Sequence, residues 1–232
     1  MIISYKEHKN FMVESISIVW KNKVFPTRRM EKDNNMWIIN ETFPPGKYYY
    51  RFLINEGVYF NDPYANQYEI GEDGSLWSVL LIDNKGQRLY NAIQYSIELE
   101  RCFMSNQITE YNDTNGKEKK IFNKLLDHMV SLRFDFINII GIHSISLLWF
   151  NPYEEIFDIS ENILSQEDVE YGNPISVWFN LDLRSMEYAL IQGLWKVRLF
   201  INGEFIIDDY FQLGQGTIYT NNGRVILTGD RR

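Results

Sequence analysis

Cysteine is almost absent: Cys102 is the only one in 232 residues. A lone thiol closes no internal disulfide, so a reducing, cytoplasmic setting is the expectation. Histidine is scarce too, and His8, His128 and His143 stand far apart without metal-ligand spacing. No run reaches the ~18 apolar residues of a membrane helix. The opening residues, MIISYKEHKNF, show no apolar stretch of the secretory kind, so neither membrane nor export is expected. Positive charge is in deficit, with 23 Lys and Arg against 31 Asp and Glu and a net charge of −8. That argues against a nucleic-acid partner, because neutralising phosphates needs a basic footprint. No phosphate loop or nucleophile elbow occurs. The adjacent acids Glu154-Glu155 and Asp208-Asp209 would point to opposite faces of a strand and form no catalytic dyad by spacing alone. The expectation is therefore a binding protein rather than an enzyme, with no metal and no cofactor.

What the chain does have is aromatics, at 16% of residues. Aromatics favour strands and interfaces. Charge is divided unevenly: residues 1–92 carry 11 basic and 11 acidic groups, whereas residues 93–232 carry 12 and 20. Different balances point to two units, with a polar seam at 83–91, DNKGQRLYN.

An internal repeat supports that division. Residues 46–55 read GKYYYRFLIN and residues 193–202 read GLWKVRLFIN. Gly46 aligns with Gly193, Arg51 with Arg198, and Asn55 with Asn202. Each segment is followed by a Gly-containing turn and a returning aromatic or β-branched run, which is a hairpin pattern occurring twice. Strand alternation sets Tyr48, Tyr50, Phe52 and Ile54 inward, and likewise Trp195, Val197, Leu199 and Ile201. It sets Tyr49, Arg51, Leu53 and Asn55 outward toward solvent, with Lys196, Arg198, Phe200 and Asn202 as their counterparts. His143, between apolar residues, reads as a satisfied core histidine. Further strands are expected at 13–20, 36–43, 76–82, 131–139, 145–150, 175–183 and 224–228. A short helix or irregular segment is expected at 117–130, where Ile121, Phe122, Leu125, Leu126 and Met129 share a helical face. The acidic stretch 160–171 reads as a loop with a helical turn. The fold class expected is all-β: two consecutive antiparallel β-sandwiches, residues 1–92 and 93–232.

Residues 12–83 resemble the glycogen-binding domain of the AMP-activated protein kinase β subunit, a member of carbohydrate-binding module family 48 with relatives at the N-termini of isoamylases and branching enzymes. Pro44, Gly46, Tyr50, Arg51, Phe52, Asp62, Pro63 and Ser78 carry the likeness. The resemblance implies an early-set, immunoglobulin-like sandwich that binds an α-glucan such as glycogen or starch fragments. In that family two aromatics, a basic residue and an Asn hold the sugar. The matching positions here are Phe25, Tyr59 and Arg51, with Trp77 where the Asn would stand. A looser likeness of the second unit to immunoglobulin-like sandwiches rests on Gly141, His143, Trp149, Phe150 and Pro152, then Gly193, Trp195, Val197 and Gly203. The alternative is a scaffold with a protein partner and a vestigial sugar site.

Overall fold

The computed structural model describes residues 1–8, 11–90, 95–108, 118–165, 174–184, 191–214, 217–221 and 224–228. Among these residues the secondary structure is β, apart from a one-turn 3-10 segment at Lys21–Lys23. Strands are numbered in chain order. Three of them, β1 (Ile2–Lys6), β4 (Glu31–Asp33) and β5 (Met36–Asn40), form a small sheet in the order β1-β5-β4. It faces a second sheet of β2 (Ile16–Trp20), β3 (Arg28–Arg29), β6 (Gly46–Ile54), β8 (Tyr68–Ile70) and β9 (Leu76–Ile82), in the order β3-β2-β6-β9-β8, with β7 (Val58–Phe60) also on β6. Between them lie Ile3, Tyr5, Trp37, Ile39, Ile16, Ile18, Trp20, Tyr50, Phe52 and Ile54, all buried. These are the alternate residues of their strands, as period-two geometry requires.

The C-terminal sheets follow the same logic. One is β10 (Ser96–Ser105), β12 (Met129–Ile140) and β15 (Ile175–Asp182), in the order β10-β12-β15. The other joins β11 (Ile121–Asn123), β13 (Ile142–Phe150), β14 (Ile156–Ser165), β16 (Gly193–Ile201) and β17 (Glu204–Gly214), in the order β11-β17-β16-β13-β14. Only the β11–β17 pair in it is parallel. Leu132, Phe134 and Phe136 meet Leu147, Trp149, Trp195, Val197, Leu199 and Phe211 between the two sheets. A hairpin of β18 (Thr217–Asn221) and β19 (Arg224–Thr228) follows. Among the described residues no ladder runs from β1–β9 to β10–β19. The expected unit boundary at 92/93 lies outside the described residues.

The repeated hairpins are alike in detail. Both β6 and β16 run for nine residues and end at an asparagine in the left-handed region, Asn55 at φ 49° and Asn202 at φ 50°. Asparagine tolerates that region because its short polar side chain can bond locally. The Asn55 side-chain oxygen accepts from the amides of Glu14 and Ser15, and that of Asn202 accepts from the amide of Ser144. Each asparagine amide in turn donates to the carbonyl of the neighbouring chain, Ser15 or Ser144. Thus each turn is fastened to the strand beside it.

Three expectations need correction, and one open alternative is decided. Of the two forms expected at 117–130, the described residues take the irregular one rather than the helix: Ile121–Asn123 is a short strand, and a turn leads into β12. Residue 117 lies outside the described residues. Asn123 and Asp127 decide the outcome, because the Asp127 carboxylate accepts from the Asn123 amide and closes a turn instead of a helix. The stretch 160–165 belongs to strand β14, paired along β13, with 166–171 outside the described residues. Arg51 and Arg198 are both buried rather than solvated, at 6% and 2% exposure. Phe200 and Asn202 are buried with Arg198.

The reason for the last two is tertiary. The five-stranded sheet is covered on both faces. Its Leu147, Trp149, Val197 and Leu199 fill the C-terminal core. Its Leu148, Phe150 and Phe200 join the N-terminal core instead. Phe200 lies 4.4 Å from Phe60, centroid to centroid, and His8 stacks on Phe205 at 3.9 Å. The Tyr5 hydroxyl donates to the Gly203 carbonyl. Gly203, at φ 86°, is needed there: a Cβ would fall 2.3 Å from the Asn61 carbonyl oxygen.

Candidate functional site

Strand β6 sets the site. Its odd residues, Lys47, Tyr49, Arg51 and Leu53, point away from the N-terminal core. Tyr49 pairs with Val79 of β9, and Leu53 pairs with Tyr59 of β7. Glu69 of β8 pairs with Trp77. Continuing the β6–β9 register by one residue sets Arg51 opposite Trp77. Arg51, Tyr59 and Trp77 therefore share one sheet face, together with Tyr49, Lys47 and Glu69, which the sequence reading did not single out. Their signal was available in the odd-numbered positions of β6, next to a run of three tyrosines.

Tyr59 is exposed, while Tyr49 and Trp77 are half-buried. Gly71 makes room for the Trp77 indole, since a Cβ there would lie 2.8 Å from its Nε1. The guanidinium of Arg51 lies 5.6 Å from the Tyr59 ring centre and donates to the Tyr59 carbonyl. The same nitrogen binds the Glu161 carboxylate of β14 at 2.8 and 3.1 Å. Glu161 also accepts from the Ser144 hydroxyl. Arg51 thus spends its charge inside the molecule and fixes Tyr59 from beneath.

Beside it, Lys47 and Tyr49 both donate to Glu69, at 2.5 and 2.8 Å. Burial pushes the Glu69 carboxyl up, but the hydrogen bonds from Lys47 and Tyr49 outweigh it and hold it below the usual carboxylate range. The bond to Glu69 holds Lys47 above its usual range. The Lys21 and Lys47 ammoniums lie 5.1 and 5.2 Å from the Tyr49 ring centre.

Phe25 does not join this face. It packs with Trp20, Phe43 and Tyr48 at ring separations of 5.4, 5.7 and 5.4 Å, on the core side of the sheet. Tyr48 is an even residue of β6, so the sheet itself stands between Phe25 and the other three.

The remaining singled-out groups are structural. His143 is buried, bonds the Ile140 carbonyl through Nε2 and faces the Asn202 amide through Nδ1. Burial holds its imidazole below the usual histidine range. Burial likewise pushes the Cys102 thiol up to about 12. Among the described residues no group of His, Cys, Asp and Glu could hold a metal ion. None of their helices is long and apolar enough to cross a membrane. Stacking rings edged by fixed polar groups can bind a ligand.

No family model matches the chain, and no curated protein matches it. Among solved structures it is similar to an immunoglobulin-like protein from Pseudomonas aeruginosa, at 13% identity and TM-score 0.38 over 53% of this chain and 100% of that one. It is similar to a β-glucosidase from Listeria innocua at 14% identity and TM-score 0.32, over 56% of this chain and 17% of that one. It is also similar to a maltogenic amylase from S. marinus at 14% identity and TM-score 0.28, over 88% of this chain and 25% of that one. The chain thus spans a quarter or less of the two enzymes, and these likenesses assign no activity.

Proposed function

We propose that this chain is a non-catalytic carbohydrate-binding protein that takes an α-1,4-linked glucan on the outer face of the β6–β9 sheet. The observation that carries the reading is the gathering of Tyr59, Trp77 and Tyr49 on that face around the buried Arg51. A glucose ring offers an apolar C–H face to an aromatic ring and directional hydroxyls to the groups around it. Tyr59 and Trp77 supply the stacking surfaces. Lys47 and Glu69 supply polar partners at the edge. Arg51 acts as a positioning residue for Tyr59, and Phe25 plays no part.

A sugar on an open sheet is only partly desolvated, and ~0.3 kcal/mol per heavy atom limits its gain. Calorimetric titration with maltoheptaose should give a dissociation constant on the order of micromolar to millimolar. Tyr59→Ala with Trp77→Ala should abolish it while leaving the circular dichroism spectrum unchanged. Equal binding by that double variant, or none by the native protein, would overturn the reading. The ion pair of Arg51 with Glu161 favours a second reading, a scaffold for protein contacts in which the sugar face is vestigial. That reading gains if maltoheptaose leaves the protein unaffected.

A further inference from the structure

Two connections between the N-terminal and C-terminal parts share one buried imidazole. The first is the β16–β17 turn, where Gly203 lies against the Asn61 carbonyl and accepts from the Tyr5 hydroxyl. The second is Tyr95, just ahead of β10. Its ring packs on Tyr68 of β8 at 5.0 Å and against Gly141, where a Cβ would fall 2.6 Å from a ring carbon. Its hydroxyl accepts from the Tyr68 amide at 3.1 Å. His143, 1% exposed, stands behind both. Its ring meets Tyr95 edge to face at 6.0 Å, and its Nδ1 meets the Asn202 side chain of the turn at 3.0 Å.

The partners of His143 fix where its proton sits. A carbonyl only accepts, so Nε2, 3.0 Å from the Ile140 oxygen, carries the hydrogen. The Asn202 side-chain oxygen is taken by the Ser144 amide, so the group facing Nδ1 is the Asn202 NH2. Nδ1 is therefore an acceptor, and the ring is neutral with both nitrogens used. A second proton on Nδ1 would set two donors face to face. Turning the Asn202 amide over relieves that only by setting its NH2 against the Ser144 amide. Either way the turn loses a hydrogen bond, and a charge is left in a buried site.

Nothing nearby takes up that charge. Tyr95 and Tyr68 are held above the usual phenol range by burial and stay neutral. Glu161 of β14 is engaged by Arg51 and by the Ser144 hydroxyl. Glu204, past the turn, is exposed. The influences on the ring are burial, which disfavours its charged form and prevails, and the Ile140 and Ser96 carbonyls.

We propose that His143 is a pH-sensitive latch between the two parts: neutral, it fixes the β16–β17 turn and Tyr95, and doubly protonated it releases both. The open form takes a proton that the closed form refuses. Closure is therefore complete above the ordinary histidine value of about 6.5 and weakens as the pH falls below it. At about pH 5 the balance moves toward the open form by up to about thirtyfold.

The test is amide hydrogen exchange of the full chain at about pH 7.5 and about pH 5, with each rate corrected for its intrinsic pH dependence. The Asn202 amide, bonded to the Ser144 carbonyl, and the Tyr68 amide report the two connections. Both should be less protected than Phe134 in the middle of β12, and both should lose protection at the lower pH by up to about thirtyfold. In His143→Gln, whose amide can donate to Ile140 and accept from Asn202 without titrating, that loss should vanish. It should persist in His8→Phe, which keeps the ring stacked on Phe205 and removes the other nearby imidazole. Protection equal to that of Phe134 at both pH values overturns the latch, as does an unchanged loss in His143→Gln or a loss abolished by His8→Phe. Should His143→Gln not fold, the ring nitrogen resonances of the native protein decide: the proposal requires Nε2 protonated and Nδ1 bare at about pH 7.5, and the reverse tautomer overturns it.

Discussion

Arg198 is the residue whose environment differs most from what its neighbours in sequence imply. It makes a two-point ion pair with Asp208, at 2.6 and 2.8 Å. The rings of Phe11, Phe150 and Phe205 lie 5.4 to 5.6 Å from its guanidinium. Phe11 comes from the N-terminal part and the other two rings from the C-terminal part, so one cation ties both together. Removing it strands a carboxylate in that apolar enclosure. Arg198→Ala should cost about 3–5 kcal/mol in urea unfolding. Arg198→Leu combined with Asp208→Leu should recover much of that loss, because the desolvated charge is gone with its partner. An equal loss in both variants would show that packing against the rings, not charge, is what Arg198 supplies.

At the scale of strands, Trp195 is the anchor of β16. It is fully buried, stacks on Phe211 at 5.8 Å and donates its indole N–H to the Ile191 carbonyl. Trp195→Ala should cost roughly 3–5 kcal/mol, read from the unfolding midpoint. A loss below about 1 kcal/mol would mean the cavity collapses around it. Much of this level was legible in the residues. Alternation located the inward rows of β6 and β16, and Leu76–Ile82 is a strand at the bounds expected. The repeat located two hairpins that end on matching asparagines. Alternation also assigns one face of every strand to water, and that rule fails for β13 and β16, which are buried on both sides. The uninterrupted apolar run Leu147–Phe150 was the available sign of double burial. The same limit shaped the reading of the site. Arg51, Tyr59 and Trp77 share a face because register is local. Arg51's engagement with Glu161, 110 positions away, follows only from how the sheets meet. The burial of Arg133 and Asp135 on β12 was invisible for a further reason, since a bulge between Leu99 and Arg101 reverses the alternation of the neighbouring β10.

For the whole molecule, the consequence is that residues 93–232 do not carry a complete exterior. Leu148, Phe150 and Phe200 pack into the core formed by the N-terminal strands. A chain cut to residues 93–232 should expose them, bind a hydrophobic dye and aggregate. Intact protein should unfold in a single transition by fluorescence and by calorimetry. Two separated transitions, or a soluble monomeric fragment, would show that each part closes its own core.

The doubly covered sheet also governs how such a sequence can drift. Leu147 and Leu148 are neighbours in the chain, yet the first answers to the C-terminal core and the second to the N-terminal one. A change of volume at one must be absorbed by partners in one half, and a change at the next by partners in the other. Substitutions in the two halves are therefore coupled through alternate positions of one strand, so that neither half can be exchanged for an outside relative without rewriting every second residue of β13 and β16.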